Sequence, residues 1–421
     1  MSNFRAVITC CLTVLVLTVV PCRGMEIVLD YSDDSFFAAH PTAEATLEAA
    51  AQDVSNAITT TLAATVDTNS ATVNGTSVTF NYNFNYANPT TGAIQTIDAA
   101  LPANQVRVFV GVQNLTSGTL GEGEPGGFNV SSSAIIHNQS DVSSAVHMAA
   151  AAANANLGRG GGPAMGTASG SLTTVPYSIA YGPSVGSIWF NSSVNWQFDD
   201  TQPVAAGQFD FYTAALQEIL QSLGFSTSQS WYMNVSGTDS RNWLGRQVGA
   251  QLEFSTHVLA PDSMHIAQGL MSPRLTDGLR QTAVMEPTLT DGVRESLTLL
   301  DLAFLRDIGW QTIESNLVPG DFDRDTVRTA ADVSAMQRAL TNLGAYQGQN
   351  SLTNAELLSI GDLNGDGKIT NADLQSLLKL LINPAAGSGS LTGVSEPASL
   401  PLAGIGILTM LYLRKSVRRW S

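Results

Sequence analysis

Two stretches of this 421-residue chain carry oxygen donors at a spacing that suits a hard cation. In GDFDRDTVRTAAD, Gly320 to Asp332, carboxylates stand at Asp321, Asp323, Asp325 and Asp332, with the Val327 carbonyl and the Thr329 hydroxyl between them. In GDLNGDGKITNAD, Gly361 to Asp373, the same positions hold Asp362, Asn364, Asp366, the Lys368 carbonyl, Thr370 and Asp373. Ca2+ takes roughly six to eight oxygens, and a twelve-residue loop that offers them at this spacing wraps around it. The sharp turn at the sixth position wants Gly. It has Gly367 in the second loop but Thr326 in the first, so the first loop is expected to bind more weakly. Two Ca2+ ions are expected.

A second constellation lies in FDFYTAALQEILQSLGF, Phe209 to Phe225. Asp210 is placed to cap a helix and Gly224 to end it. Gln217 and Gln221 stand four apart, on one helix face, beside Glu218. Two imidazoles at that spacing grip one Zn2+, and the Glu acts as general base on the metal-bound water. Amide oxygens are neutral and weakly basic, whereas Zn2+ prefers imidazole, thiolate or carboxylate. Zinc is therefore not expected, and Glu218 then has no activated water to deprotonate. Taken locally, the three residues read as a solvated polar face. The mature histidines are His40, His137, His147, His257 and His265, none at ligand spacing from another, though His257 and His265 are near enough in the chain to meet. No Gly-x-Ser-x-Gly elbow is present.

The elements around these residues follow from periodicity. Glu26 to Tyr31 reads as a strand. Leu47, Ala51, Val54, Ile58 and Leu62 give Thr42 to Ala63 a helical spacing. Val78, Phe80, Tyr82, Phe84 and Tyr86 alternate with polar residues, as do Val106, Val108, Val110 and Val112 with theirs, so each run predicts a strand. Asp141 to Asn156 is an Ala-rich helix, and Ser187 to Phe198 a further strand. Gly158 to Gly170 lacks the Gly-Lys-Ser/Thr of a phosphate cradle and reads as a flexible connection. Helices are expected after each acidic loop, at Ala330 to Leu343 and Asn371 to Ile382.

Downstream of the Gln helix come Asp262-Ser263-Met264-His265, Gly269-Leu270-Met271-Ser272-Pro273 and RQTAVMEPTLTDGVRESLTLLDLAFLRDIGW, Arg280 to Trp310. With DYSDDSFF and LEAAAQDV near the start, these resemble a group of bacterial secreted zincin-like proteins related to the metzincin proteases. The resemblance spans most of residues 25–310. It implies Gln217 and Gln221 at the first two zinc-ligand positions, His265 at the third, Glu218 as general base and Met285 in the turn beneath the metal. Thr227 stands where an ordinary metzincin has its third His. The helix is then a zinc-protease helix by descent, with its metal grip removed. The paired acidic loops resemble dockerin type I repeats over residues 318–384, which implies a cohesin-like or other extracellular protein partner.

Both ends read as targeting segments. Arg5 precedes an apolar run, Ala6 to Val20, with a plausible cut at Met25. All three cysteines lie before that cut, so the mature chain has no disulfide or thiolate chemistry. Near the other end, Val394-Ser395-Glu396-Pro397 precedes an apolar stretch, Ser399 to Leu413, and then Arg414, Lys415, Arg418 and Arg419. This resembles a PEP-CTERM sorting tail, with Ser395 where the first Pro would be. It implies recognition by sorting machinery and membrane contact before processing; a simple tail anchor is the other reading. A net charge of −16 argues against nucleic acid.

The expected fold class is α+β: a zincin-like domain with a mixed sheet and an active-site-type helix, then a small all-α calcium domain of EF-hand type. The expected organisation is a signal peptide at 1–24, the zincin-like domain at 25–316, the dockerin-like module at 317–384, a Gly/Ser linker at 385–395 and the tail at 396–421. Together these imply an exported calcium-binding protein of the bacterial envelope or extracellular space, with an inactive peptidase-like domain, acting by protein binding. Two alternatives stay open: a zinc metallopeptidase with substituted ligands, and a component of a dockerin-based polysaccharide-degrading assembly.

Overall fold

A computed structural model describes residues 24–116, 118–252, 257–313, 319–324, 328–350, 352 and 354–382. The expected leader up to residue 23, the linker and the tail lie outside the described residues, as do Asp325 and Val327. The chain divides into two compact units, the first up to residue 315 and the second from residue 316.

The first unit begins with β1 (Glu26–Asp30), α1 (Phe36–Ala39) and α2 (Pro41–Ala57). Next come β2 (Thr68–Val73), β3 (Thr76–Ala87), β4 (Ile94–Asp98), β5 (Gln105–Gln113), β6 (Gly121–Pro125) and β7 (Gly127–Ile135). After α3 (Val142–Leu157) follow β8 (Gly166–Leu172), β9 (Val175–Tyr181), β10 (Val185–Asn191), β11 (Trp196–Gln197) and β12 (Phe209–Asp210). The unit closes with α4 (Phe211–Ser222), α5 (Gln229–Asn234), α6 (Arg246–Gln251), β13 (Met271–Pro273), β14 (Arg280–Thr282) and α7 (Leu299–Ile308).

The main sheet runs β1-β5-β10-β6. Its first three strands are parallel and β6 is antiparallel to β10, so a mixed sheet ends on an antiparallel edge. Every residue of β10 is buried, as in a parallel strand covered on both faces. Leu47, Val54, Val108, Ile188, Leu216 and Leu220 share one core. A second sheet is antiparallel: β3 pairs with β7 along one side and with β2 and β4, end to end, along the other. Its Val78, Phe80, Tyr82 and Phe84 pack with Ala145, Ala149 and Ala153 of α3, whose small side chains leave room for those rings.

Two expected boundaries shift and one loop reading is corrected. The helix expected over Thr42 to Ala63 stops at Ala57, because Ile58 turns to extended backbone and bridges Thr312. The strand expected over Ser187 to Phe198 ends at Asn191, whose side chain bonds to Thr119 O and Ser193 N and turns the chain. The glycine segment is not a flexible connection. Arg159 within it is fully buried, and its guanidinium donates to the carbonyls of Ala63, Pro102, Gln105 and Pro183.

The second unit is helical: α8 (Ala330–Thr341), α9 (Leu343–Gln349), α10 (Asn354–Gly361) and α11 (Asn371–Ile382). Phe322, Met336, Ile360, Leu377 and Leu381 form its core. Besides the helices expected after each acidic loop there are two more, α9 and α10, and α10 runs directly into Asp362. Among the described residues no helix is long and apolar enough to cross a membrane.

Candidate functional site

Helix α4 starts where Asp210 accepts the Thr213 N–H at 2.9 Å. The other oxygen of that buried carboxylate receives Arg294, at 2.7 and 2.9 Å. The helix ends before Gly224, whose φ of 98° only Gly adopts without strain. Between these caps every side chain except Gln221 is buried. The polar face read as solvated is therefore covered, and that reading is corrected.

The cover over Glu218 is β6. A Cβ on Gly123 would stand 2.3 Å from the Glu218 carbonyl oxygen, and one on Gly121 2.8 Å from Glu218 Oε1. Only a Gly-x-Gly strand lies this close to a helix. Glu218 is 4% exposed and its Oε2 has no hydrogen-bond partner. Burial, with Glu122 nearby adding repulsion, pushes its pKa up to about 8.

The cover over Gln217 is the turn Val284-Met285-Glu286. The Gln217 amide nitrogen donates to Val284 O at 2.6 Å and to Glu286 O at 3.0 Å. From the other side Asp301 of α7 accepts the Val284 and Met285 N–H groups at 3.2 and 3.3 Å. Met285 is fully buried, and its carbonyl accepts the Ile266 N–H at 2.8 Å. The residue beside His265 is thus tied to the same turn as Gln217. His265 itself pairs with Asp262 through Nδ1 at 2.8 Å, and His257 with Asp239 through Nε2 at 2.9 Å. Gln221 goes elsewhere: its Oε1 accepts the Gly123 N–H at 3.3 Å. Thr227 donates to the Gln221 carbonyl at 2.8 Å and so finishes the helix.

As a donor set for Zn2+ this does not fit. Gln217 turns its nitrogen, not an oxygen, toward the turn that a zincin would place under the metal. The Gln221 amide oxygen is occupied by a strand N–H. One imidazole is left, engaged with a carboxylate.

The acidic loops differ. Among the described residues, Asp321, Asp323 and Asp332 are the one group of three acidic, His or Cys side chains whose ligand atoms lie within 4.8 Å of one another. Asp332 accepts the N–H groups of Phe322 at 2.7 Å, Asp323 at 3.0 Å and Thr329 at 2.7 Å. Asp373 repeats the pattern with Leu363, Asn364 and Thr370 at 2.9, 3.1 and 2.8 Å. The twelfth-position carboxylate thus staples both ends of its loop and starts the following helix. Asp362 accepts the N–H groups of Gly365, Asp366 and Gly367 at 2.8, 3.0 and 2.8 Å, which curls the second loop inward. The Lys368 N–H bonds Asp366 at 2.9 Å, and Asn364 Nδ2 reaches Asp366 Oδ2 at 3.1 Å. Thr329 and Thr370 accept the Ala331 and Ala372 N–H groups, so the ninth position doubles as a helix N-cap.

Residues 319–382 match the family model of the dockerin type I domain. Comparison with curated proteins and with solved structures found no match. Dockerin domains bind Ca2+, and the carboxylates of this dockerin domain suit that ion. The sequence reading missed the two glycines over Glu218, the anchoring Arg159 and the Asp301 brace. Only the Gly-x-Gly of β6 left a trace in the sequence, and nothing there says what lies against it.

Proposed function

We propose that this chain is an exported calcium-dependent binding protein, whose first unit is a zincin-like domain turned from catalysis to a structural role. Residues 1–24 serve as its leader, 385–395 as linker and 396–421 as sorting tail. The dockerin domain at 319–382 supports the calcium and binding parts of this reading. Its two loops hold one Ca2+ each, and Ca2+ supplies the charge balance that lets so many carboxylates meet. Dockerin modules bind cohesin partners, so the module docks the chain onto an extracellular protein of that kind.

The mixed sheet with its antiparallel edge above a polar-faced helix supports the zincin-like reading. One observation carries the loss of activity. The Gln217 amide donates both its protons to Val284 O and Glu286 O, so the first ligand position has become a clamp. Glu218, sealed under β6 and protonated at neutral pH, is not placed to take a proton from water.

Elemental analysis of the purified chain, after dialysis against trace zinc and millimolar calcium, tests this. Two calcium and no zinc are expected. Stoichiometric zinc that disappears in His265→Ala would instead make the first unit a peptidase with substituted ligands.

A further inference from the structure

A cavity of about 230 Å3 opens at the carboxyl ends of β5 and β10, between the α1–α2 corner and the start of α4. It is well away from the dockerin loops in sequence and uses none of the α4 polar face. Open parallel sheets bind ligands at this end of their strands. A dry cavity of about 150 Å3 already accepts benzene, so the volume suffices for a small ligand group.

Six ring side chains line it: Phe36, His40, Phe190, Trp196, Phe198 and Phe211. They brace one another. Phe36 and His40 stack at 4.0 Å, while Trp196 and Phe198 meet Phe211 edge to face at 5.5 and 5.1 Å. Two of the polar groups beside them are already used. Asn191 donates to Thr119 O, and the indole N–H of Trp196 donates to Asn191 O at 2.9 Å. Phe190 and Phe211 are buried, so a ligand here meets chiefly the partly exposed rings of Phe36, His40, Trp196 and Phe198, with Ser192 beside them.

The charge behind the wall is negative. Asp34 accepts the Phe36 N–H at 2.6 Å with one oxygen and the Val112 N–H at 2.7 Å with the other. Both of those residues line the cavity. A carboxylate therefore bridges two segments of the wall. Aromatic rings attract cations through their quadrupole, most strongly cations that shed water easily, and quaternary ammonium groups are the standard example. A carboxylate behind the rings adds to that preference over a neutral guest of the same shape.

We propose that this aromatic cavity binds the quaternary ammonium group of a small soluble molecule. The test titrates the full chain calorimetrically with tetramethylammonium, choline and 3,3-dimethylbutan-1-ol, the neutral isostere of choline. Both cations are expected to bind, and the isostere at least about tenfold more weakly. Phe36→Leu keeps the apolar volume and removes one ring. Asp34→Asn keeps an acceptor and removes the charge. Phe36→Leu should weaken choline binding several-fold while leaving the thermal unfolding midpoint and isostere binding near those of the parent. Asp34→Asn, which sets an amide N–H against one of the two backbone N–H groups, should lower the midpoint and weaken choline binding several-fold more than isostere binding. Equal binding of cation and isostere, or no binding of either cation, overturns the proposal. Sedimentation with phosphatidylcholine vesicles, without binding of free choline, would overturn the soluble source.

Discussion

Gln217 holds Val284. Its amide nitrogen lies 2.6 Å from the Val284 carbonyl oxygen, and the second proton of the same nitrogen reaches Glu286 O at 3.0 Å. Truncation leaves two buried acceptors without that donor. Gln217→Ala should therefore destabilise the first unit by about 2–4 kcal/mol, and Gln217→Glu, which turns a second acceptor toward them, by more. Denaturant melts followed by Trp fluorescence measure this. A change below about 0.5 kcal/mol would show that the clamp is not made.

Glu218 makes the first unit sensitive to alkali. Its folded pKa is raised to about 8 from the ordinary glutamate value of 4.5, so between those values the folded state holds a proton that the unfolded state has released. Stability from this group is fully present below pH 4.5 and is lost as pH rises through about 8. Glu295, raised to about 7 chiefly by burial, acts in the same direction. With calcium saturating, the midpoint of the first unit should fall from pH 5 to pH 9. Glu218→Gln should flatten that slope and be more stable than the parent at pH 9 by on the order of 1–2 kcal/mol. A slope unchanged in the variant would sink this assignment.

The two β6 glycines should not tolerate side chains equally. At Gly123 a Cβ would meet backbone, the Glu218 carbonyl, at 2.3 Å. At Gly121 the obstacle is the end of the Glu218 side chain, at 2.8 Å. Gly123→Ala must displace strand from helix and should cost about 2–3 kcal/mol, with Gly121→Ala costing about 1 kcal/mol. Paired thermal melts decide the order, and the reverse order would contradict the packing of β6 on α4.

Calcium removal should unfold the dockerin domain and spare the first unit. Chelation removes the ion on which Asp321, Asp323 and Asp332 converge, a loss that the small core around Met336 and Leu377 does not offset. Far-UV circular dichroism should lose part of its helical signal in EDTA, with the larger unit still melting separately. Asp332→Ala and Asp373→Ala should each remove one calcium per chain. Helicity that is identical with and without calcium would argue against a metal-dependent fold.

The features legible in the sequence are those with short-range causes. β3 shows because Val78, Phe80, Tyr82, Phe84 and Tyr86 put one face of a strand in the core. The acidic loops show because a single cation draws its ligands from twelve consecutive residues. The α4 caps at Asp210 and Gly224 show for the same reason. β2, β6, β7 and β8 were missed. Their Gly, Ser, Thr and Asn side chains carry no strong apolar period, and pairing with β3, β10 or β9 places them. The burial of Glu218 was illegible for a related reason. GEGEP names the residues that make the close approach possible, but only the folded chain sets them on α4.

Arg159 has a consequence for the order of events in folding. Its guanidinium, still charged at neutral pH although burial lowers its pKa to about 10, gathers four carbonyls between 24 and 96 residues away in the chain. Those bonds close only once the segments before β5 and before β10 have both arrived, so they are expected to form after the rate-limiting barrier. Arg159→Lys loses the planar fork. In a chevron it should steepen escape from the native state, raising the unfolding rate on the order of tenfold, and leave the refolding arm almost unmoved. Equal slowing of refolding would place the cation in the nucleus. With unfolding faster and refolding unmoved, the segment that looks in sequence like slack chain is the latch that sets how long the first unit stays folded.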